Sequence, residues 1–212
     1  MTDEAVGHMF ERVVIPEEGK IERRHRPIAR KQNGQPVLPY KTTDKNLVPP
    51  MPEVGKGNNI HTTGLTHDER GYPVVTADEQ ARLVKRLIDK IRLNADSIIR
   101  YEEDDVKDAD VVLVAYGITS RVARMAKNLA RKGGLKVGLL RPIVVWPFPE
   151  QRIRELAKKS KALIVPEINM GQIVREVERL AAGACDVIPV PEAGGRVHST
   201  DSILNKVREV LS

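Results

Sequence analysis

The feature that most constrains this chain is a regular alternation of short apolar runs and amphipathic helical patterns from about Lys107 to the C-terminus. The runs have the length of buried strands, and Gly or Pro residues separate them from the helical patterns. This alternation predicts an α/β domain with an open, mainly parallel sheet and helices on both faces. The four predicted strands are Asp110–Tyr116, Lys136–Leu140, Ala162–Val165 and Asp186–Val190, and a proline in the last strand predicts a sheet edge.

The predicted helices each place apolar residues three and four positions apart on one face. The first helix follows Gly117, and Thr119 or Ser120 is its expected N-terminal cap. Two glycines, Gly133 and Gly134, end it. We expect the later helices to begin after Pro149, near Gly171 and near Thr200.

The first half of the chain has a different character. Residues 12–75 contain eight prolines and little periodicity, which is typical of irregular chain that lies on a larger partner. A capping box, Thr76 to Glu79, then opens a long amphipathic helix. The sequence therefore predicts three parts: an irregular arm (1–75), a helix (76–104) and the α/β domain (105–212). The apolar stripe of the helix could pack on that domain or on another chain.

The usual marks of cofactor binding and catalysis are missing from the sequence. The first strand–helix turn has one glycine, Gly117, where a dinucleotide fingerprint needs three, and there is no Walker loop. The single cysteine, Cys185, is too few for an iron–sulfur cluster. No Ser–His–Asp order or paired carboxylates stand out, so we expect no catalytic residue in this chain.

A loop rich in polar residues is the main functional candidate in the first half. His61, His67 and Asp68 could ligate a metal, but their spacing matches neither a zinc site nor a helical His pair. We therefore expect no metal and favour polar contacts with a substrate or a partner chain. The candidate residues are His61, Thr62, Thr63, Thr66, His67, Asp68 and Arg70.

Charge and hydropathy indicate the expected surroundings of the chain. The formal net charge is +6, and the excess of basic residues lies beyond residue 104. That excess could attract nucleic acid or a phosphorylated ligand, but no aromatic residues interleave with it, which favours a solvated surface. No apolar run approaches the ~20 residues of a membrane span, and the start has no signal-peptide character. We expect a cytoplasmic protein without nucleic-acid or membrane partners.

Four stretches resemble the alpha subunit of 2-oxoacid:ferredoxin oxidoreductases, especially the 2-oxoglutarate type. The start, Thr2–Met9, resembles the end of that subunit's pyrimidine-binding domain, and His61–Gly71 resembles its connecting segment. Leu140–Pro149, with its Trp-Pro-Phe-Pro motif, and Pro166–Gln172 resemble turns of its transketolase-C-like domain. The resemblance covers nearly the whole chain in order and implies a transketolase C-terminal-like fold for residues 105–212.

The resemblance implies a subunit of an enzyme that oxidises a 2-oxoacid with coenzyme A and ferredoxin and releases CO2 and an acyl-CoA. It implies that thiamine diphosphate, Mg and an iron–sulfur cluster lie on a beta subunit or on an upstream thiamine-pyrimidine domain. That domain would precede Thr2, so the chain is expected to be a fragment or the product of a split gene. We expect that this chain alone binds no cofactor and is inactive when isolated. We expect it to function within a hetero-oligomer.

The resemblance also suggests turns of the α/β domain that meet another subunit. These are Tyr116, Trp146, Phe148, Glu167, Asn169 and Gln172. Two alternatives stay open: a stand-alone module that binds nucleotides, coenzyme A or nucleic acid, and an interaction domain of another thiamine-dependent enzyme. 2-Oxoglutarate is the expected substrate, with branched-chain 2-oxoacids and pyruvate as alternatives. The sequence does not decide the oligomeric state, or whether the polar loop touches substrate or a partner.

Overall fold

The computed structural model describes residues 3–22, 25–31, 34–42 and 45–212. Thr2, the first residue of the stretch Thr2–Met9, lies outside them. The chain forms two units, of which one comprises Met1–Glu11 with Ile99–Ser212 and the other comprises Arg12–Ile98. The first is called the sheet unit below and the second the arm unit.

The sheet unit contains a five-stranded sheet with the order β1-β3-β2-β4-β5. Strands β2 to β5 are parallel, and β1 pairs with β3 in the antiparallel sense. The predicted α/β class with an open, mainly parallel sheet is confirmed, and β5 lies at an edge as expected. The strands are β1 (Tyr101–Asp104), β2 (Val111–Val114), β3 (Val137–Pro142), β4 (Ala162–Glu167) and β5 (Asp186–Pro191).

Helices cover both faces of this sheet, as predicted. In chain order the helices are α1 (Glu4–His8), α2 (Ala77–Arg92), α3 (Ala95–Ile98), α4 (Gly117–Lys132), α5 (Glu150–Ala157), α6 (Ile173–Ala181) and α7 (Thr200–Leu211). Helices α5 and α6 pack on one face, and α4 and α7 pack on the other. Every residue of β2 is buried between the two layers, which explains its uninterrupted apolar sequence.

Strand β1 was not predicted, because its sequence is acidic and largely exposed. Charged contacts hold it at the edge. Arg152 donates Nε to Glu103 Oε1 at 2.5 Å and Nη2 to Glu103 Oε2 at 3.1 Å, and Arg141 pairs with Glu102 at 3.0 Å. The helix predicted to run to residue 104 therefore ends earlier, at Arg92, and the chain enters the sheet at Tyr101.

The predicted N-terminal cap of α4 is wrong. The helix begins at Gly117, and the cap position belongs to Tyr116, which makes no side-chain capping bond. Ser120 lies inside the first turn and donates its hydroxyl to the Gly117 carbonyl at 2.7 Å. Thr119 is also inside the helix and buried. The reason is that the carboxylate of Asp3 accepts from an N–H group at the N-terminus of α4.

The arm unit contains α2 and α3 and otherwise irregular chain. The Thr76 half of the predicted capping box is present, since the Thr76 hydroxyl accepts from the Glu79 N–H at 3.4 Å, while the Glu79 carboxylate pairs with Arg82. No residue of α2 is buried, and no described residue between 12 and 98 belongs to the buried apolar core. In the described part of the chain, no helix has the combined length and apolar character that crossing a membrane requires.

Candidate functional site

The strand order of the sheet unit creates a crevice between β2 and β4. After β2 the chain crosses toward β3 through α4 on one face, and after β4 it crosses toward β5 through α6 on the other. In open parallel sheets, ligands bind where neighbouring loops diverge in this way at the carboxyl ends of the strands. Two predicted interface residues meet here, since Asn169 Nδ2 donates to the Tyr116 hydroxyl at 3.4 Å.

Glu167 is the centre of this crevice. It ends β4, is 2% exposed, and turns its carboxylate onto the first turn of α6. The carboxylate accepts from the backbone N–H groups of Gln172 at 3.1 Å, Ile173 at 3.0 Å and Val174 at 2.9 Å. Asn169 Nδ2 also donates to Glu167 Oε2 at 3.2 Å. A negative charge is stabilised there because the helix N-terminus presents unpaired N–H groups and a partial positive charge.

Tyr116 borders the same cluster and stays protonated at neutral pH. Burial raises the pKa of its phenol, and the negative charge of Glu167 raises it further, while the Asn169 amide lowers it by less. The phenol therefore acts as a hydrogen-bonding neighbour of the carboxylate rather than as a base.

The turn after β2 is occupied by a second carboxylate, which sequence reasoning missed. Asp3 Oδ1 accepts from the Val6 N–H at 2.8 Å and caps α1, while Oδ2 accepts from the Ile118 N–H at 2.6 Å. Gly117 has a φ of 55°, and a Cβ there would lie 1.8 Å from Asp3 Oδ2. Glycine is thus required both by the left-handed backbone and by the carboxylate. Arg121 and Glu11 add a bidentate ion pair nearby, at 3.1 and 2.9 Å.

The crevice residues do not fit a diphosphate group. The N-termini of α4 and α6 are the places where a phosphate would bind, and the chain's own carboxylates already accept their N–H groups. A second anion there would meet a like charge. Across the described residues, no group of three or more His, Cys, Asp or Glu side chains could hold a metal ion.

The remaining predicted interface residues lie on the loop after β3 and differ in exposure. Phe148 is 4% exposed and packs in the core with α5 and α6, whereas Trp146 is 53% exposed. The structure therefore brings Tyr116, Glu167, Asn169 and Gln172 together and leaves Trp146 as a surface side chain. Contact of any of them with another subunit stays a prediction.

In the arm unit, the predicted polar loop is a closed turn organised by Asp68. Its carboxylate accepts from the N–H groups of Arg70 at 2.9 Å and Tyr72 at 3.1 Å, and from Arg70 Nε at 2.8 Å. Partial burial raises the pKa of this carboxyl, but these hydrogen bonds outweigh it, so the pKa lies below its ordinary value. Asp68 is thus a charged anchor of the turn.

Both histidines of this loop make ring contacts. His61 stacks on Tyr72 with 4.7 Å between ring centroids, and His67 lies 4.1 Å from Tyr40. His67 Nδ1 is also 2.9 Å from the Asp68 carbonyl oxygen. The histidines therefore face different tyrosines, which is not the arrangement of paired metal ligands.

The threonines of the loop have separate local roles. The Thr63 hydroxyl accepts from the Leu65 N–H at 3.1 Å, and the Thr66 hydroxyl donates to Gln80 at the start of α2. Thr62 is exposed. The loop is thus held in shape by its own contacts, and its role toward a substrate or a partner stays a prediction.

Comparison with known proteins places this geometry in a class. Residues 109–203 match the family described as pyruvate:ferredoxin oxidoreductase core domain II. The matched range contains β2 to β5 and the Glu167 cluster, whereas β1 and Asp3 lie outside it.

Curated proteins that align with nearly the full chain indicate a more specific family. 2-Oxoglutarate synthase subunit KorA of Methanocaldococcus jannaschii is 43% identical over 96% of this chain and 53% of the relative. KorA of Methanothermobacter marburgensis is 41% identical over 98% of this chain and 54% of the relative. The resemblance to 2-oxoacid:ferredoxin oxidoreductases drawn from the sequence is thereby confirmed over nearly the whole chain. It spans about half the length of these curated relatives.

A solved structure shares the fold. The 2-oxoglutarate:ferredoxin oxidoreductase from Magnetococcus marinus, described with 2-oxoglutarate, coenzyme A and succinyl-CoA bound, superposes with a TM-score of 0.69 and 27% identity. The match covers 85% of this chain and 32% of that chain.

Proposed function

We propose that this chain is a structural part of the alpha subunit of a 2-oxoglutarate:ferredoxin oxidoreductase. The observation that carries the proposal is identity of 41–43% to two 2-oxoglutarate synthase subunits over 96–98% of the chain. The proposed whole-enzyme reaction cleaves the carboxyl carbon of the 2-oxoacid as CO2. The remaining acyl group forms a thioester with coenzyme A, and two electrons pass singly to ferredoxin.

In this proposal the chain's own residues brace neighbouring chains and perform no chemical step. Thiamine diphosphate, Mg and the iron–sulfur cluster belong on a beta subunit or on a thiamine-pyrimidine domain. Two features support this role. The helix ends at the crevice donate their N–H groups to the chain's own carboxylates, and the arm unit lacks a buried apolar core in its described part. The first feature also disfavours a stand-alone nucleotide-binding module.

The polar loop is proposed to face either the substrate or a partner chain, with ferredoxin and coenzyme A meeting the complex elsewhere. His61 and Arg70 are the exposed, chemically versatile side chains of this loop. Replacing each with alanine in the assembled enzyme separates the two possibilities. A rise in KM for 2-oxoglutarate indicates substrate contact, whereas loss of the beta subunit on gel filtration indicates a subunit contact.

The proposal is tested by reconstitution. The chain is co-expressed with a beta subunit and a thiamine-pyrimidine domain from its own genome, and the purified complex is analysed for iron and thiamine. We expect coenzyme A-dependent reduction of ferredoxin with 2-oxoglutarate, and no turnover by the chain alone. Pyruvate and 2-oxoisovalerate serve as comparison substrates. A chain that fails to co-purify with these partners, or that turns over unaided, contradicts the proposal. The expected cytoplasmic location is checked by cell fractionation.

A further inference from the structure

The arm unit contains a large groove between its irregular chain and the helices α2 and α3. The groove has a volume of about 990 Å³. Its apolar lining comes from both sides and includes Val48, Met51, Leu65, Leu83, Leu87 and Ile91. Leu65 and Leu87 remain 62% and 42% exposed, so the groove is apolar surface that the chain itself leaves uncovered.

The groove is also cationic. Arg26, Arg86 and Lys90 line it, and among the residues that the structure describes no Asp or Glu does so. Arg86 Nη1 lies 3.5 Å from the Leu47 carbonyl oxygen, and Arg26 Nε donates to the Pro49 carbonyl at 2.9 Å. Within the ranges that the structure describes, neither guanidinium has a carboxylate partner. Burial lowers the pKa of Arg86, and the like charge of Arg26 lowers it further, which shows that an anion would be favoured beside it.

Two other cations of α2, which do not line the groove, are neutralised within the arm unit. Arg82 pairs with Glu79 and lies 3.7 Å from Glu69, and Lys85 pairs with Asp89. Arg86 and Lys90, which have no carboxylate partner among the described residues, both line the groove, whereas Arg92 lies outside it. An occupant that supplies both apolar side chains and carboxylates would satisfy both features.

The shape of the groove favours a peptide segment over a small ligand. From Leu83 to Asn94 its wall follows α2 and the turn after it, a length of roughly 17 Å at the helical rise per residue. An open trough of this length matches the binding of a segment in a groove, whereas small-molecule sites enclose most of their ligand.

We propose that this groove docks an apolar, carboxylate-bearing segment of the beta subunit, with its carboxylates paired to Arg26, Arg86 and Lys90. The inference rests on the proposed function, because it presumes that the chain works in a multi-subunit oxidoreductase. It adds the surface on this chain that holds the partner and the chemistry of the segment that fits it.

Charge reversal in the reconstituted complex tests the pairing. Affinity of the full chain for the beta subunit is measured for wild type, Arg86→Glu, Lys90→Glu and Leu87→Asp. Arg92→Glu is the matched control, since Arg92 lies on the same helix, is exposed and does not line the groove. We expect at least a tenfold loss of affinity for each groove variant and less than a twofold change for the control. Circular dichroism verifies that each variant keeps its helix content.

A photo-crosslinking residue at position 87 of the assembled complex identifies the occupant. We expect a crosslink to a beta-subunit peptide that contains apolar residues and at least two Asp or Glu.

Groove variants that bind like wild type, or crosslinks confined to this chain or to a segment without acids, overturn the groove inference and leave the proposed function standing. Wild-type chain that binds no beta subunit contradicts the proposed function itself. Arg86-dependent binding of inorganic pyrophosphate by the free chain would mark a small-anion site and also overturn the inference.

Discussion

Glu167 illustrates how a single carboxylate organises the crevice between β2 and β4. Three consecutive N–H groups at the start of α6 and the Asn169 amide donate to it, and it is shielded from water. The sequence predicted this residue as part of an interface turn, which stays a prediction, and within the chain its carboxylate caps α6. The motif Pro166–Gln172 is therefore explained at least in part by the local need to cap a helix.

Replacing Glu167 with Ala should destabilise the sheet unit by about 2–4 kcal/mol, because buried N–H groups lose a charged acceptor. Urea unfolding of the free chain measures this loss. Glu176→Gln on the same helix is the control, since its ion pair with Arg179 is half-exposed and worth at most about 1 kcal/mol. Equal losses for the two variants would contradict the capping role.

Gly117→Ala should lower the free energy of unfolding more than an alanine substitution of a glycine at another positive-φ position. Its Cβ would displace the Asp3 carboxylate as well as strain the backbone, whereas Gly134 has a φ of 84° and open space around it. We expect a loss of about 2–3 kcal/mol for Gly117→Ala and about 1 kcal/mol for Gly134→Ala. Thermal unfolding provides the comparison. In an Asp3→Ala background the two losses should become similar, and a persistent difference would argue against the clash.

The polar loop should loosen in acid. The pKa of the Asp68 carboxyl is lowered in the folded chain, so its stabilisation is present above the ordinary carboxyl pKa and is lost as pH falls through the lower folded value. Carbon-13 NMR should show the Asp68 carboxyl titrating below about 3.9, the ordinary value for Asp. The Tyr72 amide signal should move with it and stay constant in Asp68→Asn. A midpoint above the ordinary value would refute the anchor role.

At the scale of elements, α2 and α4 form a natural comparison because each has 16 residues. Helix α4 buries six residues against the sheet, and α2 buries none. Since tertiary packing supplies most of a helix's stability, α2 should be far less protected in the free chain. Hydrogen exchange followed by mass spectrometry should show faster exchange over Ala77–Arg92 than over Gly117–Lys132. Similar protection of both would show that α2 is stable without a partner.

The elements also show what the sequence could and could not predict. Apolar runs located β2 to β4, because strands buried on both faces leave a strong local pattern. The edge strand β5 was located by a shorter run that contains prolines. Strand β1 left none, since its acidic residues join the sheet through backbone pairing and distant arginines. The Asp3 contact was missed for a similar reason, because it joins residues 115 positions apart and has no local signal.

At the scale of the whole molecule, the two units differ in how they are stabilised. The sheet unit contains every residue of the buried apolar core found in the described ranges, and the arm unit exposes large apolar side chains such as Val54, Leu65 and Val75. The division of function that we propose follows this contrast. In that proposal, the sheet unit is held by its own core and the arm unit is completed by the surface of a partner.

Limited proteolysis of the free chain should therefore cut first within residues 12–98. Protease access follows local opening, which is easiest where little apolar surface is buried. Trypsin has sites in both units, so it offers no bias toward either. Mass spectrometry should detect a resistant fragment that contains the sheet from β1 onward. Early cleavage inside that fragment, for example after Lys158, would contradict the contrast between the units.

The contact of Asp3 with Ile118 has a consequence for the order of events during synthesis. The segment 12–98 leaves the ribosome between Asp3 and Ile118, so the crevice cannot be completed until both of these residues have emerged. Closing this 115-residue separation costs roughly 2 kcal/mol more than closing a ten-residue loop. The Asp3 segment thus reaches the α4 turn only after residues 12–98 have been made, and a fluorophore attached near Asp3 would report when the crevice has assembled.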